Sequence, residues 1–330
     1  MPRARWIPLL CALLCACSTQ PPAPSRVGEI VTLAKDVHLL PDRFEPGSQP
    51  DGNSLLLEGT DGIIVFDTGR HVEHSAALIE WARRQRRPIV AIINSHWHLD
   101  HLGGNAPLRR AYPKLQAYAS AAVNRALTTR LQRSEARLRA RIDDPATDEA
   151  TRRMLRIELD IVVQRDALMS DHFLDGPPHE MAVGGRALQI GVEVGAVSGG
   201  DAWVLDRASG ILAVGDFVTL PVPFLDTACA PGWRAAMGRI ESLPFERMVP
   251  GHGPVMSRED FRRYRMAFER LLDCADGDQP VSACSAGWIA DLGPLLPPSA
   301  HAEAREMIDD YFTEHLRAAP AKRDLYCQAP

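Results

Sequence analysis

Apolar and polar positions change rhythm several times along the chain. Between residues 30 and 66, short apolar runs alternate with turn residues. Runs 30–33, 37–40, 54–57 and 62–66 have strand length, and the last two read as a hairpin around 58–61. The spacing then becomes helical over 74–86, with Ala77, Leu78, Trp81 and Ala82 on one face. The run Ile89-Val90-Ala91-Ile92-Ile93 is too short for a helix and predicts a buried strand. Residues 115–170 show helical spacing twice, through Leu127, Leu131, Leu138 and Ile142, then through Leu155, Leu159, Val162 and Val163. This predicts two long helices, with Asp144-Pro145 as N-cap and first helical residue of the second. Strands are expected again at 187–190, 202–205 and 211–216. Ser257 to Asp260 has the form of a capping box, opening a helix that turns Phe261, Tyr264, Phe268, Leu271 and Leu272 to one side. A last helix is expected over 302–316.

Candidate chemistry gathers directly after the 89–93 run. His96, His98, Asp100 and His101 fall within six residues, followed by Gly103-Gly104. Alternate residues of an extended segment face the same way, so His96 and His98 can present two nitrogens to one ion. Asp100 and His101, where the chain turns into a helix, can reach a second ion. The glycine pair would let the backbone pass close to the metals. Imidazole with carboxylate suits zinc, and iron less well. A solvated loop rarely concentrates these residue types after a buried strand.

The stretch resembles the metal-binding motif of the metallo-β-lactamase superfamily, and further motifs extend the resemblance over about 27–256. Asp67-Thr68-Gly69 is similar to a superfamily turn whose aspartate braces the metal loops. Asp216, ending a strand in Gly-Asp, stands where a carboxylate bridges two metals, and His252 in Pro-Gly-His-Gly-Pro where a histidine completes the second site. One motif is broken: Val197 occupies the place of the third histidine of the first site. His172 or His179, or an oxygen of Ser198 or Asp201, are the available substitutes. The resemblance implies an αββα sandwich, here with a helical insertion at 115–170 and a C-terminal helical extension at 257–330. It also implies a metal-dependent hydrolase in which zinc acidifies a water and Asp100 orients or deprotonates it. The bond attacked would be an ester, thioester, lactone or β-lactam of a small molecule. With His96, His98, Asp100, His101, Asp216 and His252 as ligands and Val197 missing from the set, one tight zinc and a second weak or absent ion are expected. His96 and His98 could then donate hydrogen bonds to a developing oxyanion instead. Two alternatives follow from the same residues: a degenerate member kept for binding, and a mononuclear iron sulfur oxygenase.

Residues 1–16 read as an export leader, with Arg3 and Arg5 ahead of an apolar stretch. Leu14-Cys15-Ala16-Cys17 resembles a bacterial lipobox, which would place a lipid on Cys17 and the protein at the outer membrane; ordinary leader cleavage nearby is the other reading. The proline-rich stretch within 17–27 is a stiff tether, leaving 28–256 as the main domain. Four cysteines remain beyond the leader, Cys229, Cys274, Cys284 and Cys327, an even set suited to an oxidising compartment. Three pairings are possible; Cys274 with Cys284 is the local one and would leave Cys229 with Cys327. Cys229 as a metal ligand would strand one thiol. A 330-residue chain with 45% hydrophobic and 24% charged residues is ordinary globular material, and its formal net charge of −5 argues against nucleic acid as a partner. The arginines of 125–141 are interleaved with Glu135, Asp143 and Asp144 and suit a solvated helix face. A lid over the metal pocket is one use for such an insertion.

Overall fold

The computed structural model describes residues 29–44 and 48–327; the expected leader, Cys17 and the tether lie outside the described residues. The first sheet runs in sequence order through β1 (Val31–Ala34), β2 (Val37–Leu40), β3 (Ser54–Glu58), β4 (Ile63–Phe66), β5 (Ile89–Ile93), β6 (Gln116–Ser120) and β7 (His172–Leu174). β1 to β4 form an antiparallel meander, and β4 to β7 are parallel. The second sheet has the order β13-β12-β11-β10-β9-β8 and comprises β8 (His179–Val183), β9 (Arg186–Glu193), β10 (Asp201–Asp206), β11 (Ile211–Ala213), β12 (Arg247–Val249) and β13 (Met256–Ser257). Within it β11 and β12 are the parallel pair.

Alternation along the strands explains the layering. On β3, Leu55 and Leu57 pack toward the second sheet with Ile190, Val204 and Ala213. Leu56 between them packs with Leu78 and Trp81 of the helix Val72–Gln85 on the opposite face. Strands buried on both faces read as continuous apolar runs, and these do. On the far side of the second sheet, Trp203, Leu205 and Leu212 meet Trp233, Phe261, Tyr264, Trp288 and Ile308 from the helices that follow. Helix, sheet, sheet and helix form the four layers expected. The C-terminal helices Arg258–Asp276, Val281–Leu292 and His301–Tyr311 share this outer core.

The capping box at Ser257 is complete: its side chain accepts from the Asp260 amide, while Asp260 accepts from the Ser257 amide. Such caps contribute about 1 kcal/mol. Two expectations need correction. Residues 116–120 form β6, paired with β5, so the helical insertion starts at Ala121. Its first helix runs to Asp143 through a π turn at Leu127–Leu131. The second helix, Glu149–Val162, is capped by Asp148, which accepts from the Thr151 amide. Asp144 instead turns the connecting loop by accepting from the Ala146 amide. The disulfides are Cys229–Cys327 and Cys274–Cys284, so Cys229 carries no thiolate for a metal. Among the described residues no helix is long and apolar enough to cross a membrane.

Candidate metal centre

Parallel neighbours end on the same side of a sheet, and the centre uses this. Asp67 follows β4, the His96 loop follows β5, Asp216 follows β11 and His252 follows β12. Two parallel pairs, one from each sheet, thus deliver four loops to one edge of the sandwich.

Asp67 organises the first two loops. Its backbone is in the left-handed region at φ 59°, unfavourable for a residue other than glycine. The Ser95 amide and hydroxyl both donate to its carboxylate at 2.7 Å, and His101 Nδ1 lies 2.8 Å from its Oδ2. The Ser95 hydroxyl, having given its proton to Asp67, accepts from His96 Nδ1 at 2.9 Å. At His98 the Thr227 hydroxyl donates to the Val197 carbonyl at 3.2 Å and so accepts from His98 Nε2 at 2.9 Å. These bonds assign the tautomers: His96 and His101 turn Nε2 inward, and His98 turns Nδ1 inward. His96 and His98 therefore face the centre with lone pairs, which suits a cation and not the oxyanion-donor role considered above.

The inward atoms converge on Asp216. Its carboxylate lies 3.0 Å from His101 Nε2, 3.4 Å from His96 Nε2, 3.5 Å from His252 Nε2 and 3.8 Å from His98 Nδ1. Asp100 lies 3.1 Å from His252 Nε2 and 3.7 Å from His101 Nε2. Two groups have the geometry to hold an ion: Asp100, His101 and His252, and His96, His101 and Asp216. His96 Nε2, His101 Nε2, His252 Nε2 and both Asp216 oxygens are buried without a hydrogen-bond partner. Buried polar atoms are rarely left bare, so five such atoms facing one point fit a bound cation.

Charge agrees. Burial opposes ionisation of Asp216, yet His101, His252 and His96 around it hold its pKa well below the usual carboxylate range. Asp100 is likewise held low against its burial, by His101, His252 and Arg70. Burial, together with His98 and His101, pushes His96 down to about 4, leaving a neutral imidazole. His101 is driven the other way: burial would lower it, but Asp216, Asp67 and Asp100 raise it well above an ordinary histidine. Three buried carboxylates hold protons on nearby imidazoles where a cation could take their place.

Glycines permit the approach. A Cβ at Gly251 would lie 2.1 Å from Asp216 Oδ1, and one at Gly104 2.2 Å from the Thr68 carbonyl. The pair Gly103-Gly104 thus serves packing against the Asp67 turn. Val197 is buried in the outer core. None of its four substitutes joins the centre. His172 is exposed and bonded to Gln116, and His179 is exposed on edge strand β8. Asp201 spends its carboxylate on the Ser198 amide and hydroxyl. No local pattern links Thr227 to His98, because 129 residues separate them. Arg70, 3.5 Å from Asp100, directly follows the Asp67-Thr68-Gly69 turn and was open to notice there.

The family model described as metallo-beta-lactamase superfamily matches residues 48–252, more than half of the chain. The chain belongs to the metallo-beta-lactamase superfamily. Solved superfamily structures share its fold. A metallo-beta-lactamase from Hirschia baltica is 20% identical, with 71% of this chain and 94% of that one covered and a TM-score of 0.53. The FIM-1 metallo-beta-lactamase from Pseudomonas aeruginosa, in its mono-zinc form, is 20% identical over 73% of this chain and 94% of that one, also at 0.53. An (R)-specific secondary-alkylsulfatase from Pseudomonas sp is 28% identical over 91 residues, which span 27% of this chain and only 14% of that protein. Superfamily members are typically metal-dependent hydrolases.

Proposed function

We propose that this protein is a zinc-dependent hydrolase of ester-type bonds in small molecules. The convergence of five unpartnered buried atoms on one point carries the reading, and nitrogen with carboxylate oxygen is a zinc donor set. Asp100, His101 and His252, with Asp216 beside them, would hold one ion tightly. His96, His98 and the other Asp216 oxygen would hold a second weakly, because Val197 brings no imidazole. A bound zinc would supply Lewis acidity and make a water acidic near neutral pH. The chain does the rest. Asp100, ionised and lying 3.5 Å from Arg70 Nη2, accepts the proton of the attacking water. Asp67 and Thr227 fix the orientations of His101 and His98, so the donors need no rearrangement before reaction. The alkylsulfatase relatives support including sulfate esters with carboxylic esters, thioesters, lactones and β-lactams. The disulfides support an exported location, with Cys17 as the proposed lipid anchor.

Elemental analysis of protein purified without chelators or an affinity tag tests the reading. One zinc per chain is expected, with activity lost to a chelator and restored by zinc. Iron would overturn the metal assignment in favour of an oxygenase. Protein without metal and indifferent to added zinc would leave a fold kept for binding alone.

A further inference from the structure

We infer that the cavity beside the metal centre is a subsite for an apolar, non-anionic alkyl arm, so that the substrate is an ester with a long apolar arm. The inference rests on the hydrolase reading for its reacting bond and on separate observations for its arm.

The cavity has a volume of about 950 Å³, at the upper end of small-molecule sites. His98, Asp100 and His252 form part of its lining, so a bond placed over them leaves the rest of the molecule in the cavity. Leu131, Phe224, Leu295, Leu296 and Met307 give the walls their apolar surface, with Phe44 at the exposed rim. They come from three separate parts of the chain. Leu131 sits in the π turn of the insertion, an irregularity frequent at functional sites. Leu295 and Met307 belong to the C-terminal extension, and Phe224 to the segment after Asp216.

Charge disfavours an anionic arm. Among the described residues lining the cavity, Arg70 is the lone lysine or arginine, and it lies against Asp100. The walls carry Glu158, Asp226 and Glu303; Asp226 accepts from the Tyr311 hydroxyl at 3.0 Å. A substrate with an anion at its far end would meet carboxylates there. One with a polar scaffold would lose hydrogen bonds to water against prolines and aliphatic side chains. A hydrocarbon loses nothing and gains burial.

The test uses zinc-loaded protein with two series. Displacement of the neutral probe N-phenyl-1-naphthylamine by n-alkanols from butanol to decanol reads the subsite without turnover. Affinity is expected to rise about fourfold per methylene. Hydrolysis of p-nitrophenyl esters from acetate to decanoate reads both features, and kcat/KM should climb with chain length. Phe44→Asp, at a position 55% exposed, should flatten both series while thermal unfolding shows the fold intact. Met307→Trp should end the rise at a shorter chain. Alkanol affinity independent of length would overturn the subsite even if every ester is cleaved. Affinity rising with length while no ester is cleaved would uphold the subsite and overturn the hydrolase.

Discussion

The floor and the walls of the cavity are built on opposite principles. At the floor polar side chains are oriented by named partners: Asp67 holds Ser95 and His101, Ser95 holds His96, and Thr227 holds His98. Among the described residues, the atoms left bare there, His96 Nε2, His101 Nε2, His252 Nε2 and both Asp216 oxygens, face the centre. The walls present mainly apolar side chains, with Leu131, Phe224, Leu296 and Met307 contributed by separate loops and helices. Directional bonds fix atoms to fractions of an ångström, which a metal requires. Dispersion and apolar burial tolerate substitution of similar volume, which suits a site reading only length and apolarity. In one molecule the floor would then set the reaction and the walls the substrate.

The sharpest way to break this division is at the floor. Asp100→Ala should lower kcat/KM by about a thousandfold or more, with an unchanged far-ultraviolet circular dichroism spectrum. Retained turnover would remove Asp100 from its proposed role. The walls should respond to the tail that ties them. Cys229–Cys327 closes a loop of 98 residues, so Cys327→Ser should destabilise the protein by about 2–4 kcal/mol in thermal unfolding while zinc content stays the same. A loss of zinc instead would show that floor and walls are not independent.

A smaller effect lies just behind the floor. Burial pushes Asp201 up to about 7, against the lowering by its bonds to Ser198. Its folded-state value is thus above the unfolded one, near 4. The folded protein retains this proton through that window and the unfolded chain does not. Stability therefore falls as pH rises from about 4 to about 7 and levels above it. In zinc-stripped protein, Asp201→Asn should flatten the dependence by at most about 1.4 kcal/mol per pH unit. Urea unfolding at pH 5, 6 and 7 reads the slope, and a variant parallel to the parent would show that Asp201 is ionised throughout.

Much of the floor was legible because its parts are short motifs at strand ends. Asp67, His96 to His101, Asp216 and His252 each follow an apolar run whose length already fixes a strand, so their common edge could be anticipated. Asp144-Pro145 has the form of a helix start, but the Asp144 side chain turns the loop on itself and Asp148 caps the helix instead. β6 was absorbed into the insertion because Gln116-Ala117-Tyr118-Ala119-Ser120 lacks the apolar density of its neighbours; pairing with β5 makes it a strand.

By itself the sequence determined the layered class, the capping box, the even cysteine set and the candidate donors at the strand ends, since periodicity, spacing and residue chemistry are local properties. Tertiary structure alone decided that Thr227 reaches His98, that His172 and His179 stay away from Val197's neighbourhood, and that Leu131, Phe224 and Met307 meet around one cavity. Those relations join residues far apart in the chain, and an apolar side chain carries no mark of which distant surface it will cover.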